Sequence, residues 1–173
     1  MRGAIMEKRQ FSRWRGSAFA ARNRSKELNM SIRALLGPSR PRLLSCSPRD
    51  SILKAVDLMV GDSGNAIAVL NPSGSLVGIL TDHDVMRALH AGRGDVATAA
   101  VEAWMTRAVV TVSPDASLSE ALRLMAQHHI RHLVVVEGMR PAAIVGSRAI
   151  LAELHKEDAL EISVLRDVAI ARA

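Results

Sequence analysis

The chain has 173 residues, 49% of them hydrophobic and 2% aromatic, with a net charge of +6; this suits one ordinary domain or two small modules sharing a core. Residues 1–29 hold eight Lys/Arg against Glu7 and Glu27, a local +6 that accounts for the whole net charge, so the neutral remainder has no electrostatic case as a nucleic-acid binder. Cys46 stands alone, which excludes an internal disulfide and a multi-cysteine zinc site, and no run nears the roughly eighteen apolar residues of a membrane span; a soluble, reducing, cytoplasmic setting is expected.

Residues 1–29 are rich in Arg, Ser and Ala without a sustained apolar period and read as a solvated basic tail. An arm for nucleic acid or a membrane surface, a transit peptide, and a translation start placed upstream of Met30 stay open as alternatives. From Met30 the pattern tightens. Ile32, Leu35 and Leu36 predict a helical turn ended by Gly37 and Pro38. Residues 42–46 form a brief extended segment, and a turn at residues 47–51 leads into a helix over about 52–60, with Ile52, Ala55, Val56 and Met59 on one face.

Residues 66–70 (AIAVL) and 76–80 (LVGIL) are β-branched, aliphatic runs separated by Asn71, Pro72, Ser73 and Gly74, a strand, turn and strand. The period then changes: Val85, Met86 and Leu89 recur at helical spacing, so Thr81 sits where a strand becomes a helix. Such a junction offers free backbone N–H groups and partial positive charge to a phosphate. Thr81 adds a hydroxyl, and Asp84 a carboxylate able to accept from both hydroxyls of a ribose. The same pair, opening a helix at Thr-x-x-Asp spacing, is also a capping box, and the two uses can coexist.

The pattern then returns. Residues 47–59 (SPRDSILKAVDLM) and 113–125 (SPDASLSEALRLM) match at Ser, Pro, Ser, Ala, Leu and Met with a constant offset of 66; residues 66–70 fall on 132–136, and, after a one-residue deletion, 78–90 fall on 143–155. An internal repeat of this length fixes the organisation: each copy reads strand, helix, strand, strand, helix. One copy is too small to bury both faces of its sheet, so the two are expected to pack together. Trp104 and Met105, in the connector at residues 101–106, are assigned to sealing the junction.

These residues carry a resemblance to the CBS domain family, as a tandem pair of the kind called a Bateman module. The match rests on the openings at residues 43–48 (LLSCSP) and 109–114 (VVTVSP), the helices ending in Leu-Met, residues 130–136 (IRHLVVV) and residues 78–84 (GILTDHD), and it spans about residues 30–156. It implies an α+β fold of two pseudo-symmetric β-α-β-β-α repeats packed sheet to sheet, with repeat 1 at 30–95, repeat 2 at 96–157 and a last helix at 158–173. It also implies a regulatory module, not an enzyme, binding AMP, ADP or ATP, with S-adenosylmethionine or NAD as further possibilities, in the cleft between repeats. The residues carried over are Thr81, Asp82 and Asp84 from repeat 1 and Thr111, Ile130, Arg131, His132 and Leu133 from repeat 2. A flat homodimer and an unidentified regulated protein are the implied partners.

The second copy departs from the pattern. Gly146 replaces Thr81 and Ala149 replaces Asp84, so one nucleotide site per chain is expected, and the alternative is a dimerisation or docking module whose site has decayed. A zinc reading of His128, His129 and His132, helped by His83, Asp82 and Asp84, is disfavoured because zinc ligands must converge on one point. Catalysis by His83 and Asp84 lacks an accompanying nucleophile.

Overall fold

The computed structural model describes residues 30–39, 41–92 and 96–156; the basic stretch 1–29 and the expected helix at 158–173 lie outside them. In chain order come α1 (Ile32–Leu36), β1 (Ser45–Cys46), α2 (Ile52–Gly61), β2 (Ala66–Leu70), β3 (Leu76–Thr81) and α3 (Asp82–Ala91). A 3-10 turn at Val101–Ala103 leads to β4 (Thr111–Val112), α4 (Leu118–Gln127), β5 (His132–Glu137), β6 (Arg140–Gly146) and α5, a helix over residues 147–156. No helix among the described residues is long and apolar enough to cross a membrane.

Local chemistry starts and stops these elements. Ser31, Ser51, Thr81 and Ser117 sit in extended conformation one residue before a helix, each accepting through its side-chain oxygen from the backbone N–H three residues on, which satisfies a donor the helix leaves free. The β2–β3 hairpin turns on Asn71, whose Oδ1 accepts from the N–H groups of Ser73 (3.1 Å) and Ser75 (2.9 Å), and on Gly74, at φ 78°, a conformation that favours glycine.

Each copy builds a three-stranded sheet with its hairpin at one side: β1 runs parallel to β2, which pairs antiparallel with β3, and β4, β5 and β6 repeat the arrangement. Strand alternation then sorts the side chains. Ile67, Val69 and Leu80 meet Ile52, Ala55, Met59 and Ala88 of the covering helices, while Leu133, Val135, Ala143 and Val145 meet Leu118, Ala121, Met125 and Ile150. The opposite faces meet each other. Ala66, Ile79 and Val134, flanked by Leu76, Val109, Val136 and Ile144, form a third apolar cluster between the sheets, and Ile79 and Thr106 exchange backbone hydrogen bonds of 3.0 and 2.9 Å. The fold is therefore the expected α+β pair of repeats, sheet to sheet.

Each copy also lends its leading segment to the other. Ile32 is fully buried in the core of the second copy, with Met30, Leu35 and Leu36 packed beside it. The N–H groups of Ile32 and Arg33 donate to the carbonyls of Ala116 (2.9 Å) and Pro114 (2.7 Å), and Leu118 N–H donates to Met30 (2.8 Å). Arg33 adds ion pairs to Asp115 (2.8 Å) and Glu137 (3.0 Å). Conversely, Val96 and Val101 are buried in the first copy's core, and Ile52 N–H donates to Ala99 (2.8 Å). Trp104 and Met105 pack there too. The sequence boundary between residues 95 and 96 thus divides the chain but not the cores.

Candidate functional site

Two clefts open along the junction, related by the repeat. The smaller, about 240 Å³, is lined by Ile79 and the start of α3 (Thr81, Asp82, His83, Asp84, Arg87), by the approach to β4 (Thr106, Ala108, Val109, Val110), and by residues 129–132 leading into β5. The larger, about 540 Å³, takes the equivalent positions: Arg42 and Leu44 before β1, Asn65 and Ala66 at the start of β2, and Ile144, Gly146, Ser147, Arg148 and Ala149 at the start of α5. Offsets of 66 and 65 carry each of these larger-cleft residues onto a residue of the smaller cleft. Asp82, Arg131 and His132 line both clefts.

At the smaller cleft, β3 delivers Thr81 to the head of α3, and the capping box is complete. Asp84 Oδ2 accepts from Thr81 N–H (3.0 Å) and from the Thr81 hydroxyl (2.8 Å), and Thr81 Oγ1 accepts from Asp84 N–H (3.4 Å). Among the described residues Asp84 is the one buried charged side chain, 4% exposed. Its second oxygen is less committed. Asp84 Oδ1 lies 3.5 Å from Arg87 Nη1, too far for a close hydrogen bond. A carboxylate offers about four acceptor positions, so Oδ2 can hold the helix start while Oδ1 accepts from a bound hydroxyl.

Asp82 opens α3 beside them. Its N–H donates to the Asn65 carbonyl (3.0 Å), its Oδ2 accepts from Asn65 Nδ2 (3.3 Å), and its Oδ1 accepts from His83 N–H (2.7 Å). Across the cleft, His132 is half-buried; burial lowers its imidazole pKa, with Asp82 pulling the other way and Arg131 and Arg148 adding to the fall. The imidazole is therefore held toward its neutral form, able to donate from one ring nitrogen and accept at the other. Arg131 is exposed and takes part in no ion pair among the described residues.

The repeat copies differ by an exchange of size. In register, Thr81 faces Ala66 in the first sheet, whereas Gly146 faces His132 in the second. A Cβ placed on Gly146 would lie 3.6 Å from His132 Nε2 and 3.3 Å from Cδ2, the latter tighter than ordinary contact. In the second copy the imidazole borders the space that a threonine side chain at residue 146 would take. The sequence expects one site for want of a second Thr/Asp pair, yet the cleft without that pair is the larger one.

Six of the eight expected residues, Thr81, Asp82, Asp84, Ile130, Arg131 and His132, are brought together on the smaller cleft. Two are not. Leu133 is fully buried in the second copy's core, because strand alternation points it to the helix side, and Thr111 pairs with Val134 at an exposed strand start and lines neither cleft. Residues that sequence reasoning missed are Thr106, Ala108, Arg87 and His129 in the smaller cleft and Arg42, Asn65, Ser147 and Arg148 in the larger. Among the described residues no group of three His, Cys, Asp or Glu could hold a metal ion.

The comparisons agree with this architecture. The CBS domain family model matches residues 32–91 and again 101–156. The CBS domain-containing protein YhcV of Bacillus subtilis is 36% identical over 104 residues, covering 60% of this chain and 73% of that one. An uncharacterized 33.4 kDa protein of Thermofilum pendens is 33% identical over 113 residues, 65% of this chain, and this chain spans only 36% of its length. Among solved structures, an uncharacterized conserved protein of Pyrococcus horikoshii superposes with a TM-score of 0.63 at 27% identity, covering 76% of this chain and 93% of that one. The CBS domain pair of protein MJ0100, solved in complex with 5′-methylthioadenosine and S-adenosyl-L-methionine, superposes with a TM-score of 0.66 at 24% identity, covering 74% and 98%; at that identity the likeness is one of fold.

Proposed function

Because this chain belongs to the CBS domain family, in which it carries two copies, we propose that it is a regulatory module binding an adenosine nucleotide, AMP, ADP or ATP, in the smaller cleft. The observation that carries this reading is the convergence of the Thr81–Asp84 helix start of one copy with Arg131 and His132 of the other on a single cleft. Asp84 Oδ1 accepts from the ribose, the Arg131 guanidinium and the positive end of the α3 dipole meet phosphate, and Ile79, Val109 and Ile130 supply the apolar surface for a base. The MJ0100 pair, with its adenosine-bearing ligands, makes S-adenosylmethionine a competing ligand, and NAD belongs to the same chemical class.

A thermal-shift panel on the full chain with AMP, ADP, ATP, NAD and S-adenosylmethionine tests this. A ligand at a hundred times its dissociation constant stabilises by about 2.7 kcal/mol, a rise of several degrees at this size. Asp84→Ala should remove that rise for the ligand that causes it. A panel without any shift refutes the nucleotide reading.

The second reading, a dimerisation or docking module with a decayed site, has its own observation. Leu53 (52% exposed) and Val60 (73%) share one face of α2, and Met86 and Leu89 stand exposed on α3, a pattern suited to burial against a second copy or a regulated partner. Under this reading, analytical ultracentrifugation finds a dimer that Val60→Glu dissociates. Under the nucleotide reading the same interface transmits the signal, because a ligand acts only by favouring the packing that binds it better.

A further inference from the structure

The partition between the two clefts is built from one member of each repeat-related pair, Asp82 from the first copy and Arg131 and His132 from the second. Asp82, Arg131 and His132 reach both clefts, whereas their counterparts Ser147, Asn65 and Ala66 line only the larger. The three that reach across carry the charged or ionisable groups. Every other basic side chain of the lining belongs to one side: Arg42 and Arg148 line the larger cleft alone, and Arg87, His83 and His129 the smaller alone. Asp82 is tied to Asn65 and to its own helix start, which leaves Arg131, exposed and in no ion pair among the described residues, as the long, many-rotamer member of the wall.

We propose that the two clefts bind phosphate-bearing ligands antagonistically, because both draw on the one Arg131 guanidinium and the one His132 imidazole. A phosphate in either cleft recruits Arg131 to its own side, where a charge-assisted hydrogen bond gains most. The other cleft then loses a cation and faces an anion across the residues that the two clefts share. This rests on the reading of the clefts as ligand sites and extends it from one site to two that exclude each other.

The test is a site-resolved titration of the ¹⁵N-labelled full chain with ADP, following the amides of Gly146 and Ser147 for the larger cleft and of His83 and Thr106 for the smaller. Arg148→Ala disables the larger cleft and Arg87→Ala the smaller through residues that line one side only. Whichever variant removes the cleft that fills first should tighten the opposite cleft by at least about fivefold, the low end of ordinary coupling between sites. In an Arg131→Ala background that gain should vanish. If neither variant tightens the opposite cleft, or if the gain persists without Arg131, the antagonism is overturned while the sites stand. If AMP, ADP and ATP in turn all leave the four amides unmoved, the nucleotide reading itself falls, and the antagonism with it.

Discussion

The exchange of Ala66 and Thr81 in one copy for His132 and Gly146 in the other makes a quantitative prediction about packing. Replacing Gly146 by Thr places a Cβ at 3.3 Å from the His132 ring, with a branched side chain beyond it, and overpacking of this kind costs about 1–3 kcal/mol. Gly146 has no positive φ, so backbone strain adds nothing, and the loss of glycine's chain entropy returns about 0.5–1 kcal/mol; a net cost of about 0–2.5 kcal/mol is expected. His132→Ala removes the obstacle and recreates the Ala/Thr pairing of the first sheet. In urea unfolding of the full chain, Gly146→Thr with His132→Ala should therefore be at least about 1 kcal/mol more stable than the sum of the single changes implies, within the range of directly touching residues. Additivity to within about 0.5 kcal/mol would refute the claim that the imidazole borders the space of a threonine at residue 146.

Three further outcomes follow from other sites. A Cβ on Gly78 would meet Met105 Sδ at 2.5 Å and the Thr106 carbonyl at 3.3 Å; Gly78→Ala should destabilise by about 1–3 kcal/mol in the same assay, and truncating Met105 should recover only part, since the carbonyl cannot move away. Burial lowers the His132 pKa from 6.5, opposed by Asp82, so the unfolded chain takes up the proton first. Stability from this group is complete above pH 6.5 and is lost as pH falls below it; the thermal midpoint should drop between pH 7.5 and 5.5, and less steeply in His132→Asn, an equal slope in the variant counting against it. Burial also pushes the Cys46 thiol up to about 11, which keeps the reactive thiolate scarce; iodoacetamide at pH 8 should label the native chain slowly and at a rate that rises with urea, and rapid native labelling would contradict the packing.

Much of the fold was legible because its signals are local and occur twice. The 66-residue offset exposed the repeat, and Asn71 and Gly74 marked the hairpin through a side-chain acceptor and a left-handed turn. Thr81 and Asp84 were legible as a capping box, since the box is a spacing rule. Leu133 was misplaced by carrying over a whole segment; period-two alternation puts His132 and Val134 on the cleft face and Leu133 on the helix face, and that rule was available. The larger cleft was missed for a deeper reason. A site was sought by its threonine and carboxylate, whereas Arg42, Asn65 and Arg148 become neighbours only through the packing of the two sheets. Shifting the approach and turn residues of the smaller cleft back by 66 would have found Arg42 and Asn65.

The lending of leading segments between copies bears on how the chain is made. Arg33 reaches its carboxylate partner Asp115 across 82 residues, and the apolar bed of Ile32 includes Leu118, Val135 and Ile150. During synthesis the first copy emerges with its own α1 unable to dock until the second copy has left the ribosome. The first copy, for its part, lacks Val96 and Val101 until the connector appears. Neither half has a finished interior of its own, so maturation should proceed as one late closure, and a ribosome stalled midway would present an apolar hook to whatever chaperone, or neighbouring copy of the same chain, meets it first.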